Sequence, residues 1–230
     1  MQRLTRPRLE RLMRYYQFLC DQSCLLNNEN PVRVVTSAQI AQAMERDQTL
    51  VRKDFAAIGI TGQPRVGFSA VEICSAIRRS LGFDGAYPAI LIGAGHLGGA
   101  LLAYPGFHLY GLSIVTAFDR DSSKVGTKVG GCTIKPLGML KQLIRNQGIE
   151  LAILTTPAEE AQELATRLVE AGIRAIWNFT PAKLDVPAKT FVRNEQISLG
   201  LAELAYRLKD LRPKRVRESA RGTGSKKARK

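Results

Sequence analysis

Apolar positions open the chain at helical spacing: Leu12, Tyr15, Tyr16, Leu19 and Leu26 predict a helix over 9–26, stopped by the breaker cluster "NNENP". In "VVTSAQIAQAM" Thr36 and Gln39 stand in capping-box register, which predicts a second helix through Met44. A third runs from Asp47, where Val51, Phe55 and Ile58 fall at i, i+4 and i+7. One face of it is therefore buried, and Arg52 and Lys53 point away. Three helices ending in an exposed Arg-Lys pair suggest a helix-turn-helix. The plainer alternative is a solvated helix face with Asp54 as the neighbouring counter-charge. "GITGQPRVGF" then interleaves glycines with Arg65, Val66 and Phe68, as a short β-ribbon or wing would. Helix returns in "SAVEICSAIRRSLG", and "FDGAYP" reads as a linker.

From Ala89 the pattern alternates between strand and helix: "AILIG", a helix from His96, "LSIVTAFD", "TIKP", a helix over 137–147, "ELAILTT", a helix over 158–171, "RAIWNFT" and "KTFVRN". Such interleaving predicts a parallel, doubly wound sheet. A last helix over 196–211 carries Ile197, Leu201, Leu204, Leu208 and Leu211 as an apolar stripe that must pack against something. The expected class is thus α/β: a winged helix-turn-helix over 1–84, a Rossmann-type sheet over 85–195, the helix 196–211, and a disordered basic tail over 212–230.

Charge changes this picture at the two ends. Of the net +14, the first fourteen residues supply +4 and residues 211–230 supply +8, so the middle is nearly neutral. Blocks of like charge at chain ends act as arms on nucleic acid or another polyanion, or else as solubilising tails. No apolar run approaches the roughly 18 residues of a membrane span, and "MQRLTRPRLE" lacks the apolar core of a signal peptide, so a cytoplasmic protein is expected. Cys20, Cys24, Cys74 and Cys132 form no CxxC pair, and His96 and His108 are the only histidines, so no metal site is expected.

The candidate chemistry lies in "GAGHLG". Gly93-x-Gly95-x-x-Gly98 follows a strand and opens a helix, the context that gives this pattern meaning. Gly93 permits a tight turn, Gly95 an approach to a pyrophosphate and Gly98 close helix–strand contact, while the helix N-terminus offers amides to phosphate. Ala94, His96 and Leu97 complete the loop. Asp119 ends the next apolar strand, 26 residues after Gly93. A carboxylate there accepts from ribose hydroxyls and disfavours the extra phosphate of NADP, and Arg120 beside it weakens that preference. NAD(H) is the expected cofactor. Catalysis is not expected: neither histidine has an evident carboxylate partner, and there is no Tyr-x-x-x-Lys pair. A sensor that binds NAD(H) without consuming it fits better than the alternative, a small oxidoreductase with a basic N-terminal module.

The motifs "VRKD" (51–54), "VGF", "GAGHLGGAL" (93–101), "YPGF" (104–107), "FDRD" (118–121), "TTPAEEA" (155–161), "NFTP" (178–181) and "VRN" (192–194), taken in order, resemble the Rex family of redox-sensing transcriptional repressors from about Arg8 to Leu211. The resemblance implies a homodimer whose last helix is exchanged between subunits. It also implies release from a palindromic double-stranded DNA operator on NADH binding, with NAD⁺ favouring the bound form. It places Arg52 and Lys53 at the major groove and Arg65 on the wing, and Arg14, Thr36, Ser37 and Thr49 complete the expected DNA-contacting set. Tyr104 resembles the family's tyrosine near the nicotinamide, and Thr155 and Pro157 would lie at a strand's carboxyl end. The chain departs from the family at Leu50, where a glutamine is usual, at Pro64-Arg65 in place of Arg-Gly, and at Gln196 in place of the aspartate that pairs with the switch tyrosine across the dimer. The last departure raises a further alternative, a paralogue that binds DNA with little redox response or answers to another adenine nucleotide.

Overall fold

A computed structural model describes residues 4–22 and 34–211; Leu26 and the expected tail 212–230 lie outside the described residues. The chain forms two compact units, one reaching to Pro88 and taking back Tyr104–Ser113, the other made of Ala89–Ala103 and the chain from Ile114.

The first unit begins with α1 (Arg6–Gln22), β1 (Val34–Val35), α2 (Ser37–Ala43) and α3 (Gln48–Ala57), and continues with β2 (Phe68–Ser69) and α4 (Ala70–Leu81). Its helix starts are set by side-chain caps. Thr36 and Gln39 form the expected capping box, with the Gln39 amide N–H donating to Thr36 Oγ1 and the Thr36 N–H donating to Gln39 Oε1. Asp47 accepts from the N–H groups of Thr49 and Leu50 at the head of α3. Leu12 and Tyr15 of α1, Ile40 of α2, Val51 and Phe55 of α3, and Ile73 and Ile77 of α4 share one core. Each such side chain contributes about 1.5–3 kcal/mol on burial.

The wing is only in part the short ribbon expected there. Gln63 and Gly67 bridge across Pro64-Arg65-Val66, but the second pairing is between Phe68–Ser69 and Val34–Val35, the strand before α2. Two residues are too few to show a strand period, which is why β1 is not legible in the sequence. Arg65, at the tip, holds φ of 63°, a left-handed conformation unusual for a residue with a Cβ.

In the second unit β3 (Tyr87–Ile92), β4 (Leu112–Asp119), β5 (Lys128–Val129), β6 (Cys132–Pro136), β7 (Leu151–Leu154), β8 (Ala175–Asn178) and β9 (Phe191–Asn194) form one sheet, ordered β5-β6-β4-β3-β7-β8-β9. The β4·β6, β3·β7, β7·β8 and β8·β9 pairs are parallel; only the short β5, unforeseen in the sequence, is shown antiparallel, against β6. Without β5 this is the 3-2-1-4-5-6 order of doubly wound dinucleotide-binding sheets. The interleaved helices are α5 (His96–Leu102), α6 (Leu140–Gln147) and α7 (Ala158–Ala171), and α8 (Ile197–Leu211) closes the chain. Residues 137–139, expected as the start of α6, form a 3₁₀ turn ahead of it. The core gathers Ile90, Ile92, Leu154 and Ile176 from one face of the sheet, with Phe118, and Ile144 of α6 and Leu164 and Leu168 of α7 pack on it. On α8, Leu201, Leu204, Leu208 and Leu211 stay exposed. Among the described residues no helix is long and apolar enough to cross a membrane.

Asp54 corrects the sequence reading of its neighbours. It is fully buried and faces α1, where Arg11 Nε (2.6 Å), Arg11 Nη2 (2.8 Å), Arg8 Nε (3.1 Å) and Tyr15 OH (3.2 Å) all donate to its carboxylate. It is therefore no counter-charge for Arg52 and Lys53. Burial opposes its ionisation, but the hydrogen bonds from Arg11 and Arg8 outweigh that and hold its pKa below the ordinary carboxylate value. The Tyr15 phenol, buried beside it, is pushed up to about 12.

A depressed carboxylate contributes stability above its unfolded value, about 3.9, and loses it as pH falls through the folded value. Asp54→Asn should cost about 3 kcal/mol of stability in this unit, because two guanidinium groups lose their counter-charge. Denaturant unfolding should show a lower midpoint at pH 7 and a smaller further loss between about pH 4 and pH 2 than in the wild type. An unchanged midpoint would mean that the network contributes nothing net.

Candidate functional site

Two concave places collect most of the residues singled out in the sequence, one in each unit. In the first, a groove of about 640 Å³ between α2, α3 and the wing is lined by Thr36, Ser37, Gln48, Arg52 and Arg65, among others. The buried Ser37 hydroxyl accepts from Arg52 Nε and from Gln48 Nε2, both at 3.0 Å. α2 thereby orients the cationic side chain of α3 before any ligand arrives, which lowers the ordering cost of binding. Lys53, Thr49 and Arg14 are exposed but do not line the groove. Gln48, the first residue of α3, was not picked out in the sequence, although a glutamine at the head of a helix carrying Arg52 is itself a signal for base-edge contact.

The second place is the switch point of the sheet, where the strand order reverses between β3 and β7. Open α/β sheets bind ligands outside the carboxyl ends of such strands. A cleft of about 280 Å³ lies there, lined by Gly93, Gly95, Asp119, Arg120, Lys124, Thr155, Thr156, Pro157 and Glu160. That is at the small end of ligand pockets, about 300–1,000 Å³.

The glycine turn is built by exclusion. Gly93 holds φ of 96°, and a Cβ on Gly98 would collide with the Gly93 carbonyl oxygen. Gly98 is accordingly buried, while Gly95, the cap of α5, has open space around it and no side chain to satisfy the first-turn N–H groups. Those amides are free to meet an anion. Ala94, His96 and Leu97 sit at this turn and first helical turn without lining the cleft.

Asp119 is more committed than the sequence implies. One carboxylate oxygen accepts from Ala94 N (2.8 Å) and Lys124 Nζ (3.2 Å), the other from Asp121 N (2.9 Å). A carboxylate has about four acceptor sites. One incoming hydroxyl can therefore be taken without displacing Lys124, not the two expected from sequence. Arg120 reaches over to an ion pair with Glu160 of α7.

The two threonines after β7 divide their roles. Thr155 Oγ1 donates toward the carbonyls of Gly93 (2.7 Å) and Ile92 (3.0 Å), bracing the turn. Thr156 Oγ1 is buried with no hydrogen-bond partner. Lys124, Thr156 and Glu160 are thus cleft residues not singled out in the sequence, since only the fold brings them to this point.

Tyr104 is not among the cleft residues. It belongs to the first unit, half exposed, with its ring edge-on to Phe107 at 4.9 Å. Gln196 is exposed at the head of α8. Among the described residues no group of His, Cys, Asp and Glu could hold a metal ion.

A family model described as a CoA binding domain matches residues 84–182. Among curated proteins, the redox-sensing transcriptional repressor Rex of Carboxydothermus hydrogenoformans is 37% identical over 178 residues, 77% of this chain and 86% of that protein. The Rex of Rhodopirellula baltica is 36% identical over 207 residues, 90% of this chain and 85% of that protein. Both are named as repressors, not as enzymes. The crystal structure of RSP in complex with β-NAD⁺ and operator DNA matches with a TM-score of 0.83 at 29% identity, covering 98% of this chain and all of that one. RSP in complex with β-NADH matches at 0.80 and 30% identity, covering 92% and 97%.

Exchange of Asp119 for asparagine keeps its shape and removes a charged acceptor. Affinity for a dinucleotide, measured by calorimetric titration, should fall about tenfold. Affinity equal to wild type would place the ribose elsewhere.

Proposed function

Because the chain belongs to the Rex family of redox-sensing transcriptional repressors, it is a DNA-binding repressor that senses redox state, and we propose that NADH bound at the switch-point cleft releases it from a palindromic operator. The observation that carries this reading is the pairing, in one chain, of a cation-bearing groove on a winged helix with a glycine turn and carboxylate at a doubly wound switch point.

The roles follow from the geometry. The first-turn amides of α5, over Gly95-His96-Leu97-Gly98, take the pyrophosphate. Asp119 takes one ribose hydroxyl of the adenosine half, and Arg120, Thr155 and Pro157 border it. In the other unit Arg52, presented by Ser37, and the neighbouring Lys53 meet the major groove and its phosphates. Arg65 at the wing tip meets the minor groove, while Arg14, Thr36, Ser37 and Thr49 meet backbone phosphates. Two winged helices are needed for a palindrome, so the working form is a homodimer. The exposed leucines of α8 support a helix exchanged between subunits, where their apolar stripe would be covered. The protein acts in the cytoplasm.

A second reading rests on Gln196. With a neutral amide where the family usually carries the aspartate facing the switch tyrosine, Tyr104 has no charged partner to respond to, and the redox response would be weak.

Fluorescence anisotropy of a labelled palindromic operator, titrated with protein in NADH, NAD⁺ or coenzyme A, separates these. The first reading predicts that NADH weakens DNA binding about tenfold or more, with NAD⁺ and coenzyme A having little effect. Tight binding indifferent to all three would favour the second.

A further inference from the structure

Resting on the nucleotide-binding reading above, we propose that Arg78 is the positioning residue that carries the state of the cleft to the DNA-binding unit. It does so by clamping the segment Tyr104–Ser113, whose two ends both lead into the cleft.

The chain leaves the second unit at Ala103, joins the first as Tyr104–Ser113, and re-enters the second at Ile114. Upstream lies α5, whose first turn is the glycine turn; downstream β4 runs to Asp119. The segment is thus tied at one end to the phosphate side of the cleft and at the other to its carboxylate. A shift in either element on ligand binding pulls on the same ten residues.

Those residues are stitched to the first unit by hydrogen bonds and ring contacts. Arg78 of α4 donates to Leu109 O (2.9 Å), to Tyr16 OH (3.0 Å), to Phe83 O (3.0 Å) and to Asp84 Oδ1 (3.1 Å). Only arginine has the donors and the fixed fork for four acceptors at once. Tyr87 N donates to Gly111 O (2.7 Å). Gly111 itself holds φ of 76°, and a Cβ there would run into the Gly85 carbonyl oxygen. Tyr110 packs edge-on against Phe83 (5.2 Å) and Tyr16 (6.4 Å), and it joins the core that holds Val51 and Phe55 of α3. A path of packed and hydrogen-bonded groups therefore runs from Leu109 and Tyr110 through Arg78 and Tyr16 to the helix that bears Arg52. It is a contiguous link of the kind through which energetic coupling can travel.

The test is amide hydrogen exchange on the full chain without DNA, with and without saturating NADH, alongside NADH affinity and the operator-release factor. In the wild type NADH should change exchange across 104–113 and α4 together. In Arg78→Ala, and independently in Gly111→Ala, NADH should bind as in the wild type. The exchange change in α4 should disappear, and the release factor should fall about tenfold. A merely structural role would lower the melting temperature without altering that ratio. If either variant is folded and keeps the full α4 response and release factor, the proposal is overturned; it is also overturned if wild-type α4 ignores bound NADH. Absence of NADH binding to the wild type would instead sink the nucleotide reading itself.

Discussion

The turn over residues 93–98 exists only because Gly98 has no Cβ. The place a Cβ would take is filled by the Gly93 carbonyl oxygen, which Thr155 Oγ1 holds from the neighbouring strand end. The same turn is tied from the other side, where Ala94 N donates to Asp119. The ends of β3, β4 and β7 are thus locked to each other around one tight piece of backbone. The open first turn of α5, the carboxylate of Asp119 and the unpartnered hydroxyl of Thr156 owe their convergence to it. A larger residue at position 98 would have to open this turn, and the cleft would lose its phosphate end and its ribose end together.

Electrostatics in the two units follow one pattern, in which buried or braced acids set the position of cations. Asp54 takes up Arg8 and Arg11 from α1 and so is no counter-charge for Arg52 or for Lys53, which has Asp47 near it instead. Asp119 takes up Lys124, and Glu160 takes up Arg120, so the cations at the cleft are held by counter-charges. The groove in the first unit is consequently left electropositive, as a polyanion site requires. The cleft in the second is lined by three carboxylates, Asp119, Asp121 and Glu160, against Arg120 and Lys124, so the charge of an anionic ligand has to be met mainly by backbone amides at a helix start.

Much of this was legible in the sequence because periodicity and caps are local. The α7 boundaries, the Thr36–Gln39 capping box and the burial of Val51 and Phe55 follow from spacing alone. The glycine turn and Asp119 were readable for the same reason, each being a motif at a strand end. What stayed hidden depends on meetings of distant segments. β1 and β5 are two-residue strands that exist only through their partners. Asp54 reads as a surface charge until α1 is seen beside it. Lys124 enters the cleft from the loop after β4, Thr156 from the loop after β7 and Glu160 from the first turn of α7, and the return of Tyr104–Ser113 to the first unit carries no signal in the sequence, where one boundary near residue 84 is expected.

If cleft and groove are linked, the link is reciprocal: whatever factor NADH costs in operator affinity, the operator must cost in NADH affinity. The most direct measurement is therefore the NADH dissociation constant of the full chain, first alone and then with saturating palindromic operator. The account predicts weaker NADH binding in the presence of DNA, by the same factor as NADH weakens the binding of DNA. Equal dissociation constants with and without operator would contradict it, leaving a DNA-binding protein whose nucleotide cleft has no part in its control.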